Sequence, residues 1–116
     1  MDIIFIENLT FWGRHGLLPH EKLQKQPFVI DIELRLDLTP SGVSDKLKDT
    51  LDYGEVKIII QNIIEGKRAN LIEYLGERIC TELLKNPLIQ SVKITLRKTR
   101  IWPEGVPGVI IERARA

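Results

Sequence analysis

Alternation of apolar and polar side chains predicts four β-strands. The clearest case covers residues 28–38, where every second side chain from Phe28 to Leu38 is apolar and most positions between them are charged. A period of two places one face of a strand in the core and the other in water, as is typical of antiparallel sheets. The other predicted strands cover residues 3–12, with an irregularity near 7–8, then 91–98 and 106–113.

A helical period predicts two helices between the second and third strands. Asp52 is suited to cap the first helix, with Glu55 as its capping-box partner, and Gly66 is suited to end it. Asn70 and Glu73 repeat the capping pattern at the start of the second helix. Apolar residues recur at helical spacing, at Val56, Ile59, Ile60, Ile63 and Ile64 in the first helix and at Ile72, Leu75, Ile79 and Leu83 in the second.

The order of these elements predicts an α+β fold. Two strands, two helices and two strands are expected to form a four-stranded antiparallel sheet with both helices packed on one face. The 116 residues fit a single domain, 1–116, with one core. Strands this long in so small a chain leave sheet edges open, so we expect subunits to pair in an oligomer.

Composition narrows the function classes. The chain is 43% hydrophobic and 28% charged, as expected of a globular protein. Its net charge of +1 supplies no overall field that would attract nucleic acid or a membrane. With only His15, His20 and Cys80 as soft ligands, a zinc cluster of the usual type is not expected, although a mixed carboxylate site stays open.

The location expected from the sequence is the cytoplasm. No positively charged leader precedes the first predicted strand, since the chain starts Met1-Asp2. Its apolar stretches are also too short to span a bilayer. Because Cys80 is the single cysteine, an intramolecular disulfide is excluded.

Lys98 falls on the apolar side of the third predicted strand. Val92, Ile94 and Leu96 share that side, and a period of two places Lys98 with them. A buried ammonium costs free energy unless something compensates it, which makes Lys98 a candidate for chemistry. Taken alone, the strand favours the simpler interpretation that it ends at Arg97 and that Lys98 turns to water.

Three further polar residues lie at junctions between predicted elements. Glu21 is in the first hairpin loop, Tyr53 follows the cap of the first helix, and Glu73 is in the first turn of the second helix. Each has an ordinary interpretation, as a solvated acid, an aromatic packed on the sheet and a capping-box residue. The residues around them change this balance.

Ordered motifs along the whole chain resemble those of the dihydroneopterin aldolase family. They are the opening residues 1–9, the Gly-Arg-His-Gly sequence at 13–16 followed by Glu21, and the segments 51–56, 70–79, 92–98 and 108–113. The resemblance implies the tunnelling fold, whose subunit is a ββααββ unit. It also implies an octamer of two stacked tetrameric rings with active sites between subunits, and neither a metal nor a cofactor.

The resemblance implies a retro-aldol cleavage of 7,8-dihydroneopterin in folate biosynthesis. Lys98, Glu21 and Tyr53 are the catalytic residues it implies, with Tyr53 supplied by a neighbouring subunit. Glu73 is expected to bind the guanidine-like edge of the pterin, with the backbone at Leu71 and Ile72, while Glu21 and Tyr53 also contact substrate. The pterin's own C=N bond accepts the electrons, so no Schiff base is needed. Epimerisation is an expected side activity.

The sequence leaves more than one function open. Residues 99–107 diverge from the family pattern. The charge state of Lys98 also stays open, because burial favours the neutral amine whereas neighbouring acids favour the ammonium. An epimerase of dihydroneopterin or its triphosphate would use the same fold, with Arg14, Arg97 and Arg100 available for phosphates. A Schiff-base aldolase and a non-catalytic oligomeric binding module of the same fold also stay open.

Overall fold

Four strands form one antiparallel sheet in the order β1-β2-β3-β4. In this computed structural model, which describes residues 1–115, they are β1 (Asp2–Gly13), β2 (Gln26–Leu36), β3 (Ser91–Lys98) and β4 (Gly108–Ala114). Two long helices, α3 (Tyr53–Ile64) and α4 (Ile72–Leu83), pack on one face of the sheet. The predicted α+β fold is therefore confirmed.

The connections contain short helices that the apolar pattern did not predict. They are α1 (Pro19–Leu23), α2 (Thr39–Ser44) and a 3-10 turn at Leu47–Asp49. Elements of one turn or so are too short to show a helical period, but α1 and α2 each have proline in the first turn, where its missing N–H is tolerated. Within residues 1–115, no helix combines the length and apolar character needed to cross a bilayer.

The two long helices start differently. Asp52 caps α3 as predicted, its Oδ1 accepting a hydrogen bond from the Gly54 N–H at 2.9 Å. The predicted Asn70 cap is wrong, because α4 starts one residue later with Leu71 in the N-cap position and no side-chain cap. The Asn70 side chain instead accepts a hydrogen bond from the Arg68 guanidinium, a charged donor that the helix start does not offer.

One hydrophobic core lies between the sheet and the helices. The inward side chains of β2 and β3 interlock with the apolar faces of α3 and α4. Gly76 lets α4 approach the sheet closely, since a Cβ there would lie 2.7 Å from Ile111 Cδ1. The fully buried core residues include Phe28, Ile30, Ile32, Leu34, Ile60, Ile64, Leu75, Ile79, Ile94 and Leu96.

A β-bulge in β1 confirms the irregularity predicted near residues 7–8. Asn8 has a φ of 57°, and the register with β2 shifts between Ile6 and Leu9. The extra residue changes which parity faces the core, so Ile6 and Phe11 both point inward. Asp31 holds the bulge, accepting a hydrogen bond from the Asn8 N–H at 2.8 Å.

Both sheet edges are open along β1 and β4. Apolar side chains accompany these edges on the surface, with Ile3, Phe5 and Ile110 exposed by 45%, 61% and 66%. Unpaired backbone groups beside apolar side chains are a template for pairing with another chain.

Candidate functional site

Lys98 points into the protein at the end of β3. It is paired with the fully buried Phe28 of β2, and its backbone N–H donates to the Pro107 carbonyl at 3.0 Å, so the strand continues through it. The simpler interpretation, that the strand ends at Arg97, is wrong. The Lys98 side chain is only 16% exposed.

Glu21 compensates the inward ammonium. Lys98 Nζ donates to Glu21 Oε2 at 2.7 Å, although 77 residues separate them in the chain. Glu21 is 3% exposed and sits in α1, where the Leu18 N–H and Gln26 Nε2 also donate to its carboxylate at 3.2 and 2.8 Å. Burial by itself raises the pKa of Glu21, but the hydrogen bonds from Lys98, Gln26 and Leu18 outweigh it and hold the pKa below its ordinary value.

Gly16 makes room for this carboxylate. Its φ of +132° favours glycine, and a Cβ there would lie 2.2 Å from Glu21 Oε1. The Gly16 N–H donates to the Ala69 carbonyl at 3.0 Å, which joins this loop to the segment before α4. The second glycine of the Gly-Arg-His-Gly motif is therefore required both by its backbone conformation and by the closeness of the Glu21 carboxylate.

His15 fixes the same loop from inside. Its Nε2 donates to the Ile64 carbonyl at 2.7 Å, and its Nδ1 accepts from the Ala69 N–H at 3.0 Å, so the ring is the neutral Nε2–H tautomer. Burial lowers the pKa of His15, and the nearby cation Arg68 lowers it further. His15 is thus an anchor that positions the loop bearing Glu21.

A cavity of about 310 Å³ brings most of the predicted site residues together. Lys98, Glu21, Glu73, Leu71 and Ile72 all line it. Glu73 is exposed in the first turn of α4, where backbone N–H groups have no partner within the helix. Leu17, Leu18, Ile101, Trp102 and Pro107 complete an apolar wall.

Asn70 also lines this cavity, and sequence reasoning missed it. Its type and its position three residues before Glu73 indicated a helix cap instead. The available signal was its place directly before Leu71, whose backbone was already expected at the site.

Tyr53 lies away from this cavity. It is 65% exposed at the start of α3 and lines a second cavity, of about 490 Å³, with Ile3 and Phe5. Ile4, which also lines this second cavity, pairs with Leu34 of β2, whereas Lys98 pairs with Phe28. Six residues of β2 therefore separate the Tyr53 end of the sheet from the Lys98 end. At about 3.4 Å per residue, this is a distance of roughly 20 Å. One chain therefore does not bring Tyr53 to Lys98.

The segment 99–107, which departs from the family pattern, contributes to the cavity wall. Ile101 and Trp102 line the cavity that contains Lys98. Arg100 lies over the ring of Trp12, 5.1 Å from its centroid, in cation–π geometry. This contact ties the start of the segment to the end of β1.

Known proteins are similar to this chain over nearly its full length. The family model described as FolB, dihydroneopterin aldolase, matches residues 4–112. The dihydroneopterin aldolase of Staphylococcus epidermidis is 43% identical over 120 residues, 98% of this chain and 96% of the relative. That of Streptococcus pyogenes is 37% identical over 119 residues, 99% of this chain and all of the relative. The crystal structure of E. coli dihydroneopterin aldolase in complex with neopterin superposes with a TM-score of 0.89 at 34% identity, covering 98% of this chain and 100% of the other.

Proposed function

The chain belongs to the dihydroneopterin aldolase family, and on that premise we propose which of its residues carry out the reaction. Its reaction is the retro-aldol cleavage of 7,8-dihydroneopterin in folate biosynthesis, which yields 6-hydroxymethyl-7,8-dihydropterin and glycolaldehyde. Its ligand is a pterin-type small molecule. The observation that carries the assignment of roles is the Lys98–Glu21 pair, which lines the same cavity as Glu73.

Glu73 and the start of α4 bind the pterin ring in this proposal. A pterin presents an N–H beside an exocyclic amine, and a carboxylate accepts both in a paired, charge-assisted hydrogen bond. Glu73 is free for this role because it does not complete a capping box with Asn70. The first-turn N–H groups near Leu71 and Ile72 offer further donors to the ring.

Lys98 acts as the proton donor beside the ring. An ordered water beside Glu21 takes the proton from the side-chain hydroxyl as the carbon–carbon bond breaks, and the released electron pair moves into the ring C=N bond. Lys98 gives a proton to the ring nitrogen, which yields an enamine. The water then gives its proton to the side-chain carbon while the ring nitrogen returns its proton to Lys98, which restores the C=N bond in the product. The lowered pKa of Glu21 makes it a carboxylate at neutral pH, suited to orienting Lys98 and an ordered water.

The pterin ring serves as its own electron sink, so Lys98 forms no Schiff base. Its Nζ donates a hydrogen bond to Glu21 at 2.7 Å, a position suited to passing a proton and not to covalent attack. Because the enamine can recapture glycolaldehyde on either face, epimerisation of the substrate is a side activity. Borohydride inactivation in the presence of substrate would contradict this part of the proposal.

A neighbouring subunit supplies Tyr53. The roughly 20 Å between the two ends of the sheet within one chain supports this arrangement, as do the open edges of β1 and β4. We expect four subunits to close a ring of sheets and two rings to stack as an octamer. Size-exclusion chromatography with light scattering measures the assembly.

Complementation tests the shared site. Tyr53→Phe and Lys98→Met are each expected to be nearly inactive alone. Unfolded and refolded together, they form some interfaces with an intact Tyr53 and an intact Lys98, so activity returns. No recovery in mixed assemblies of normal size would contradict a site shared between subunits, and full activity of Tyr53→Phe alone would place Tyr53 outside the site.

The decisive assay incubates the purified protein with 7,8-dihydroneopterin and measures glycolaldehyde. We expect release by the wild type, and a loss of orders of magnitude in kcat for Lys98→Met with its assembly retained. Lys93→Met is the matched control, since it removes a half-buried lysine from the same strand that forms only a long ion pair, at 3.9 Å from Glu33. Clean epimer without glycolaldehyde would favour the epimerase, and full activity of Lys98→Met would favour a site elsewhere. The cytoplasm remains the proposed location, which cell fractionation tests.

A further inference from the structure

Arg68 bridges two segments that both contribute residues to the cavity wall. Its Nη1 donates to the Gly16 carbonyl at 2.6 Å, in the loop that positions Glu21. Its Nη2 donates to Oδ1 of Asn70, in the segment that leads to Glu73. Among the described residues, Arg68 is not one of those that line the cavity, whereas Asn70 is. Any effect of Arg68 on an occupant therefore passes through its neighbours.

The bridge determines which way the Asn70 amide faces. A guanidinium has donors only, so the Asn70 atom turned towards it is the carbonyl oxygen. The NH2 group is then directed away from Arg68, and no hydrogen bond from it is found within residues 1–115. This leaves two N–H donors on a side chain that lines the cavity.

We propose that Arg68 is a positioning residue for substrate binding, which holds the Asn70 amide so that its NH2 group donates to an acceptor on the pterin ring. The inference rests on the proposed function, because it takes this cavity as the pterin site. Asn70 touches the ring, and Arg68 acts through it.

The loops have other attachments, so Arg68 is not needed to hold them in place. The Gly16 N–H donates to the Ala69 carbonyl, and His15 bonds to both Ala69 and Ile64. Arg68 itself is exposed. Its removal leaves the buried anchors intact and frees the amide of Asn70 to rotate.

Steady-state kinetics with 7,8-dihydroneopterin test the role. We expect Arg68→Met to raise KM roughly three- to tenfold with kcat within about twofold, since a lost orienting hydrogen bond weakens ground-state and transition-state binding alike. The dissociation constant for neopterin should rise by the same factor. Lys67→Met, which removes a neighbouring cation that no hydrogen bond ties to Asn70, is the control and should match the wild type.

Two further variants separate positioning from charge and from general stability. Arg68→Lys keeps the charge, but its single ammonium cannot span two acceptors as a guanidinium does, so KM should stay raised. Combined with Asn70→Ala, Arg68→Met should add little beyond Asn70→Ala alone, because its effect passes through Asn70. If Arg68→Met does not fold, Arg68→Lys in the Asn70→Ala background gives the same comparison.

Additive effects in the double variant, or a normal KM for Arg68→Lys, would overturn the inference. A wild-type KM in Arg68→Met would overturn it too, while glycolaldehyde release by the wild type would leave the proposed function standing. A wild type that neither binds neopterin nor releases glycolaldehyde would instead remove the proposed function on which the inference rests.

Discussion

Replacing Lys98 by methionine should destabilise the fold in a way that depends on pH. The substitution keeps an unbranched chain of similar length but leaves the Glu21 carboxylate buried without its cation. Breaking a buried ion pair by removing one partner costs about 3–5 kcal/mol. Gln26 and the Leu18 N–H still bond the carboxylate, so we expect a loss of about 2–3 kcal/mol in the free energy of unfolding at pH 7.

The pH dependence follows from the carboxylate. In the folded wild type the pKa of Glu21 lies below its ordinary value of 4.5, so its contribution to stability is complete above about pH 4.5 and is lost as the pH falls through the folded-state pKa. Burial raises the pKa of Glu21, and without Lys98 the remaining hydrogen bonds offset this effect less, so the pKa of Glu21 is higher in the variant. The difference between wild type and Lys98→Met should therefore shrink as the pH falls below about 4.5.

Urea unfolding at neutral and at acidic pH measures both effects. The protein concentration is kept fixed, because assembly adds to stability. Lys93→Met is the matched control on the same strand. Its ammonium lies 3.9 Å from Glu33 with both side chains 44% exposed, so its removal should cost about 0–1 kcal/mol. The reasoning is refuted if Lys98→Met is as stable as Lys93→Met at pH 7, or if its loss is the same at every pH.

Three other perturbations have defined outcomes. Gly16→Ala should lower the free energy of unfolding by about 1–3 kcal/mol and reduce turnover, because its Cβ would displace the Glu21 carboxylate. Thermal unfolding and the aldolase assay measure the two effects, with Gly42→Ala as the neutral control, since a Cβ there meets nothing within 4 Å. The contribution of neutral His15 to the free energy of unfolding should be complete above about pH 6.5 and should decrease as the pH falls towards its lowered folded-state pKa, because the unfolded chain takes up the proton first. An NMR titration in which this ring is protonated at or above about pH 6.5 in the folded protein would contradict the prediction. Arg115→Met should cost about 1–2 kcal/mol and leave kcat unchanged, because Arg115 donates to the carbonyls of Leu84, Asn86 and Ile89 at the opposite end of β3 from Lys98. Unaltered urea unfolding would show that these bonds contribute nothing.

Local pattern predicted the sheet well because its signal is short-range. Alternation fixed the face of each side chain in β2 and β3, and the break near residues 7–8 marked the bulge at Asn8. The same alternation pointed Lys98 inward, but strand ends are decided by contacts with other segments. Here the Pro107 carbonyl pairs with the Lys98 N–H and extends the strand by the residue that matters.

Capping and loop geometry were predicted less well. Asp52 caps α3 through a neighbour two residues away, and the pattern found it. Asn70 has the same local pattern, yet Arg68 holds its side chain and the cap is absent. The helix α1 that buries Glu21 is too short to leave a periodic signal.

The sequence by itself determined the order of the strands and the two long helices. Family resemblance added the prediction that Glu21, Glu73, Leu71 and Ile72 lie around Lys98, whose strand taken alone favoured a turn to water. Only the tertiary structure decided that Glu21 is buried against Lys98 and that Asn70 faces the same cavity, because these contacts join residues far apart in the chain. It also separated Tyr53 from them, since side chains at opposite ends of a sheet cannot meet within one chain. Periodicity shows which face of a strand or helix each residue occupies, whereas a site depends on how the strands and helices pack against one another.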